Sequence, residues 1–247
     1  MGLIFGSLFR ADFTVMLRSF RTLLLNFLLP IFLLIIFGLH SNKAANGFGN
    51  VGFEIGLSLT YGLMSSGLIG YAITVARDRD AGVFQRLRVT PAPPWAIMVS
   101  RLLVQIIVVL AMTIVVVAIG SIMHHLAFTP WQLLLIGGVS LLGGAMFLAI
   151  GQAIVGLVRS ATSVNAVARL FYIVFLILGV IGSSGLLGQT VQVFAEWTPA
   201  GAVVSLYSAV LNLSTWGGAQ TAGLISSVVY IVVGAFIGIR WFRWDSR

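Results

Sequence analysis

Long apolar stretches alternate with short polar connections along most of the chain. Six of these stretches approach or exceed the roughly 20 residues that a helix needs to cross a hydrocarbon core of about 30 Å. They lie at 22–39, 52–76, 100–123, 131–158, 169–188 and 219–239. The pattern predicts an all-α polytopic membrane protein, with six transmembrane helices in a single transmembrane domain over residues 1–247.

Residues 1–21 predict an amphipathic interfacial helix rather than a further span. At 100° per residue its polar residues share one narrow sector: Ser7, Arg10, Thr14, Arg18 and Arg21. Its large apolar residues share another: Phe5, Phe9, Phe13, Met16 and Phe20. A basic stripe opposite an aromatic one is typical of a helix in the headgroup region. Such a helix is either a membrane anchor or a surface that also contacts a partner.

Composition and charge distribution support this topology. The chain is 59% hydrophobic and 8% charged, whereas a soluble domain carries about a quarter charged residues. All Lys and Arg residues except Lys43 fall in the terminal tails and in the second and fourth connections. Because positive residues mark the cytoplasmic face, both termini are predicted to be cytoplasmic. Topology therefore explains the net charge of +8, and no nucleic-acid partner is expected.

Small residues recur in the second and fourth stretches, for example Gly62, Gly67 and Gly70 in the former and Gly144 and Gly151 in the latter. Small residues let helices approach closely in lipid, where packing drives association. They indicate either close packing within one subunit or a subunit interface or transport pathway.

The connection 189–218, between the fifth and sixth stretches, is too polar for a span and too apolar for a free loop. Within it, residues 200–213 have helical potential with an apolar face. Trp197 and Trp216 suit the headgroup level, where Trp residues are enriched. A re-entrant or interfacial outer segment is therefore predicted.

Recognisable catalytic chemistry is not found in the sequence. The chain has no cysteine, which excludes disulfides and thiolate chemistry, and it has no phosphate-loop, nucleophile-elbow or H-E-x-x-H pattern. An ion-coupled carrier would need acids or His deep within its spans. Glu54 is expected only at the outer end of the second span, so ion coupling is poorly supported. His124 and His125 are adjacent, but without a third ligand nearby in sequence no metal site is predicted.

One charged segment interrupts the apolar chain after the second stretch. Residues 77–91 read Arg-Asp-Arg-Asp-Ala-Gly-Val-Phe-Gln-Arg-Leu-Arg-Val-Thr-Pro. Charge this dense is expected to lie in water, as a partner-docking surface or as an ordinary solvated loop. The positive-inside rule does not explain the acidic residues Asp78 and Asp80. Exposure of the apolar side chains of Phe84 and Leu87 to water would be unfavourable. A docking surface is therefore favoured.

This segment, with the predicted spans and interfacial helix, resembles the ABC-2 type permeases, the membrane subunits of ABC exporters. In that family the second span is followed by acid-Arg-acid and Gly, then by a helical turn that ends in Leu-basic-small-Thr/Ser-Pro. Here these positions hold Asp78-Arg79-Asp80 with Gly82, and Leu87 to Pro91. Gln85 stands where the family usually has Glu.

The resemblance implies that the region 77–99 includes a coupling helix that docks on a separate ATPase. The residues it implicates are Asp78, Arg79, Asp80, Gly82, Phe84, Arg86, Leu87, Arg88 and Pro91. It also implies two ATPase subunits, which would hold ATP and magnesium, and a second permease subunit in a homo- or heterodimer. The expected location is a bacterial plasma membrane. The apolar spans favour a hydrophobic or amphipathic cargo, such as a drug, an antibiotic or a lipid. A gradient-driven secondary transporter and a non-transporting scaffold or resistance protein remain the alternatives.

Overall fold

The computed structural model describes residues 2–18, 20–40, 50–88, 93–182, 188–212 and 216–241, and these ranges contain helices but no strand. The helices are α1 (Gly2–Arg18), α2 (Phe20–His40), α3 (Val51–Asp80), α4 (Val83–Arg88), α5 (Pro94–His124), α6 (Pro130–Leu157), α7 (Ala161–Ile177), α8 (Gln189–Trp197), α9 (Pro199–Asn212) and α10 (Gly218–Trp241). A π-helical stretch, Ser65–Tyr71, lies within α3, and another, Leu178–Gly182, continues α7.

In the part of the chain that the structure describes, five helical segments are long and apolar enough to cross a membrane: Val51–Asp80, Ala96–His124, Pro130–Leu157, Ala161–Val180 and Gly218–Trp241. They confirm the second to sixth predicted stretches as bilayer-length helices. The first stretch lies in α2, which is 21 residues long and includes the shorter apolar run Asn26–Leu39. The all-helical membrane fold is thus confirmed, and the count of six spans stays a prediction.

Helix α5 begins at Pro94, ahead of the predicted start at 100, and two further helix boundaries differ from the sequence prediction because charge was taken to end a span. The second predicted span ends at 76, but α3 continues to Asp80. The fifth was predicted from Arg169, but α7 begins at Ala161, directly after the N-cap Ser160, whose side chain accepts a hydrogen bond from the Ser163 amide at 3.1 Å. Arg169 is exposed on the side of α7, where a long side chain can reach the interface.

Helix α3 forms the centre of the bundle. About 89% of its most apolar window is buried within the protein, and α2, α5, α6 and α9 contact it. A span buried on all sides by protein need not match the lipid, which is why α3 can carry Ser65, Ser66 and Tyr71.

Glycines permit the closest approach between α3 and α6. A Cβ atom added at Gly151 would lie 2.5 Å from the carbonyl oxygen of Gly67, and one at Gly67 would lie 2.6 Å from the carbonyl carbon of Phe147. For these residues the small-residue pattern reflects packing within one subunit. By contrast, Gly137 and Gly138 have no described atom within 4 Å of an added Cβ, and an interface role for that part of α6 stays open.

Buried hydroxyl and amide groups join the spans by hydrogen bonds. The Thr113 hydroxyl donates to Ser140 Oγ at 2.9 Å, and Ser140 Oγ lies 2.7 Å from the Tyr207 hydroxyl, which links α5, α6 and α9. The Tyr71 hydroxyl donates to Gln152 Oε1 at 2.7 Å. Each bond joins polar groups across helices inside an apolar interior.

The predicted outer segment contains two short helices, α8 and α9. Helix α9 covers nearly all of the predicted helical stretch 200–213 and is mostly buried. With 14 residues it spans about 21 Å at 1.5 Å per residue, too short to cross the membrane. Helix α8 exposes Val193, Phe194 and Trp197.

The two-faced character of α1 is confirmed. Arg10 and Arg18 are exposed, whereas Phe9 and Phe13 are half-buried and stack with ring centroids 6.0 Å apart. Helix α1 packs mainly on α5. The side chain of Arg21, the third predicted basic residue of this helix, lies outside the described residues.

We expect Gly151→Ala to lower the free energy of unfolding by about 1–3 kcal/mol, the usual cost of overpacking. The added methyl group would meet the backbone of α3 rather than a movable side chain. Gly137→Ala is the matched control on the same helix and should change stability by no more than about 0.5–1 kcal/mol. Thermal unfolding in detergent measures both, and equal shifts would contradict the packing.

Candidate functional site

The Asp78-Arg79-Asp80 triplet connects the end of α3 to three other helices. The Asp78 carboxylate accepts from the Arg101 guanidinium of α5 at 2.6 Å. Arg79 reaches the end of α6, and Asp80 reaches the start of α7. Successive helical residues point about 100° apart, so three consecutive charged side chains can engage three different neighbours.

Arg79 caps the carboxyl end of α6. Its guanidinium donates to the carbonyl oxygens of Val155 at 2.8 Å, Val158 at 3.0 Å and Arg159 at 2.7 Å. The last carbonyls of a helix lack intrahelical donors and carry partial negative charge. Arg79 is only 3% exposed, so the expectation that the whole charged segment lies in water is wrong for this residue.

Asp80 binds the amino end of α7. Its Oδ2 atom accepts from the Ala161 amide at 2.8 Å, and a carboxylate is favoured at a helix N-terminus. Asp80 Oδ1 also lies 3.8 Å from Arg79 Nε. Together Arg79 and Asp80 hold the turn between α6 and α7 against the end of α3.

A turn at Gly82 separates α3 from α4. Gly82 has φ of +70°, which glycine adopts without a steric penalty. The Ala81 amide donates to Arg77 O at 2.9 Å, and the Gly82 amide to Arg79 O at 3.1 Å. The long helix thus ends over two residues, which fixes where α4 starts.

Phe84, near the start of α4, packs against Arg101 of α5. Phe84 is fully buried, and the Arg101 guanidinium carbon lies 4.7 Å from the centre of its ring. This cation–π contact adds to the ion pair of Arg101 with Asp78. Phe84 was predicted as a docking residue, and in this chain its ring is buried beneath Arg101.

Asp12 of α1 also contacts this part of α5, next to Arg101. The Ser100 hydroxyl donates to Asp12 Oδ2 at 2.5 Å. Burial raises the pKa of the Asp12 carboxyl, an effect that the Ser100 hydrogen bond and the Arg101 charge partly oppose. Sequence reasoning assigned no role to Asp12, Ser100 or Arg101. The acidic Asp12 among the apolar residues of an amphipathic helix was the feature of the sequence that could have indicated a buried polar contact.

The exposed face of α4 carries Gln85 and Arg86, and Leu87 is half-buried. Exposed Arg77 and Arg159 add positive charge on the flanking helix end and turn. The predicted side chain of Arg88 and the predicted Pro91 lie outside the described residues. The described surface around α4 is therefore polar and rich in arginine.

A second polar cluster lies at the far end of α3. Glu54 is fully buried, and its Oε2 lies 3.6 Å from His124 Nε2. Within the described ranges neither Glu54 oxygen has a hydrogen-bond partner. The predicted position of Glu54 near a helix end is correct, but its burial was not anticipated. Those ranges contain no group of three ligands that could hold a metal ion.

The fold and this site define an all-helical membrane protein with an arginine-rich surface helix after its central span. The family model for the ABC-2 type transporter matches residues 4–212. The chain belongs to this family and is therefore a membrane component of a transporter. It is also 22% identical over 146 residues to YvfS of Bacillus subtilis (strain 168), which is named as a transport permease. That match covers 58% of this chain and 59% of YvfS, so the chain spans less than two thirds of this relative.

We expect Arg79→Gln to lower the free energy of unfolding by about 3 kcal/mol, because it removes charge-assisted hydrogen bonds at a buried helix end. Arg77→Gln is the matched control, since it deletes an exposed arginine two residues earlier and should cost less than about 0.5 kcal/mol. Thermal unfolding of the purified variants compares them. Similar melting temperatures would exclude the capping role of Arg79.

Proposed function

We propose that this chain is the permease subunit of an ATP-driven exporter and docks a separate ATPase through α4. The carrying observation is that α4 exposes Gln85 and Arg86 and follows directly after the end of α3, which is hydrogen-bonded to α5, α6 and α7. A partner that presses on this helix would move several spans at once. Exposed arginines can orient an acidic partner surface and speed its association.

Family membership supports the wider assembly that we propose. Two ATPase subunits would bind ATP and magnesium beneath two permease copies, either identical or different. A hydrophobic or amphipathic cargo would move between the copies, and α8 with α9 would shape the outer gate as a re-entrant segment. Helix α2 would supply the first of six spans, and α1 would lie in the interface of the bilayer. The location proposed is a bacterial plasma membrane.

Secondary transport is the competing function, and the burial of Glu54 beside His124 is the observation that favours it, since buried ionisable residues in membrane spans mark ion pathways. The two functions separate on energy supply. Transport that stops on ATP depletion with the ion gradient intact supports the ABC permease. Transport that persists without ATP and fails when the gradient collapses supports the carrier.

Arg86→Glu should lower ATPase recovery about tenfold when the tagged permease is purified in mild detergent, because it reverses the charge at the proposed contact. The partner is identified by mass spectrometry as a phosphate-loop protein. Arg240→Glu is the matched control, since Arg240 is equally exposed at the end of α10. Unchanged recovery with Arg86→Glu, or equal loss with both variants, would refute docking through α4.

Topology can be tested with single cysteines, because the chain has none of its own. Ala127→Cys lies between α5 and α6 and should react with a membrane-impermeant maleimide in intact cells. Thr162→Cys, at the start of α7, should react only after permeabilisation. Both positions are exposed, so exposure alone does not explain a difference. The reverse pattern would overturn the proposed cytoplasmic side.

A further inference from the structure

A cavity of about 360 Å³ lies between α1, the second half of α3, α4 and α5. This volume is within the range of small-molecule sites. Much of its wall is apolar: Leu8, Val15, Met16, Val75, Val104 and Val108. The cavity belongs neither to the exposed face of α4 nor to the Glu54 cluster.

One end of the cavity is charged. Its described lining includes Asp12, Asp78 and Arg101. Asp78 and Arg101 pair at 2.6 Å, and these two charges cancel. Asp12 accepts from the neutral Ser100 hydroxyl at 2.5 Å. Among the described lining residues one carboxylate is therefore in excess, although the whole chain has a net charge of +8.

Arg101 is already paired at the charged end. Its guanidinium is held by Asp78 and by the Phe84 ring, 4.7 Å from its carbon. Its charge is thus already balanced. An anionic head would meet the excess carboxylate and be repelled.

We propose that this cavity binds an amphiphile with an ammonium head and an apolar chain. The ammonium group would lie against Asp12 and offset the cost of burying its charge, and the chain would lie along the apolar wall. The ligand is either an amine-bearing membrane lipid or a diffusible cationic amphiphile.

Native mass spectrometry of the purified full-length chain in a neutral detergent tests this site without any ATPase. The diffusible probe is dodecyltrimethylammonium and the lipid probe is phosphatidylethanolamine, with dodecyl sulfate and phosphatidylglycerol as anionic comparators. We expect one saturable adduct per chain with an ammonium probe, and at least tenfold weaker binding of both anions. Whichever ammonium probe binds more tightly identifies the source.

Asp12→Asn preserves the shape of the side chain and should weaken ammonium binding at least tenfold. The matched control Glu196→Gln removes a carboxylate outside the described cavity lining and should leave binding unchanged. Comparison at equal probe concentration cancels partitioning into micelles. Undiminished ammonium binding by Asp12→Asn, or tighter binding of dodecyl sulfate, would overturn the proposal.

A second variant tests the apolar part of the site. Val104 is 5% exposed and lines the cavity, so Val104→Phe should reduce its volume and weaken binding while Asp12 remains. Its melting temperature shows whether the protein still folds. Unchanged binding in a folded Val104→Phe would place the ammonium adduct elsewhere and refute the site.

Discussion

The arginine-rich end of the molecule depends on Arg79 and the carbonyl groups at the end of α6. A guanidinium inside a bundle is costly unless its donors are used, and here three carbonyl oxygens within 3.0 Å use them. Asp80 adds the start of α7, and Asp78 adds α5 through Arg101. The charged triplet therefore fixes four helix ends relative to one another. Only Ala81 and Gly82 separate this triplet from α4, so this arrangement determines the position of α4.

Such fixation has particular value in a membrane, where lipid is as apolar as the side chains and hydrophobicity gives helices no preference for one another. The bundle relies instead on close backbone approach, as at Gly67 and Gly151, and on buried hydrogen bonds, as at Tyr207. Both depend steeply on geometry. Under the proposed function, a displacement at the base of α4 would therefore be passed on to whole helices.

The apolar pattern was sufficient to predict the fold class and the approximate position of five bilayer-length helices, because length and hydropathy are local properties. Helix ends were less predictable: Arg77 to Asp80 look like a loop in sequence, yet tertiary partners keep them helical. The same limit applies to the site. Arg79 and Arg86 belong to the same motif and carry the same charge. Their difference arises from the fold, which buries Arg79 and leaves Arg86 exposed. The Asp12–Ser100 contact joins residues 88 positions apart, and no local spacing encodes it.

Helix α4 has two sides with different neighbours. Gln85 and Arg86 are exposed, whereas Val83 and Leu87 line the cavity that holds Asp12. A helix of six residues has fewer than two turns, so it can move only as one piece. Under the two proposals, a partner on the exposed side and an amphiphile on the cavity side would act on the same rigid element. Each would then change the affinity for the other by the same factor, since coupling between two binding sites is reciprocal.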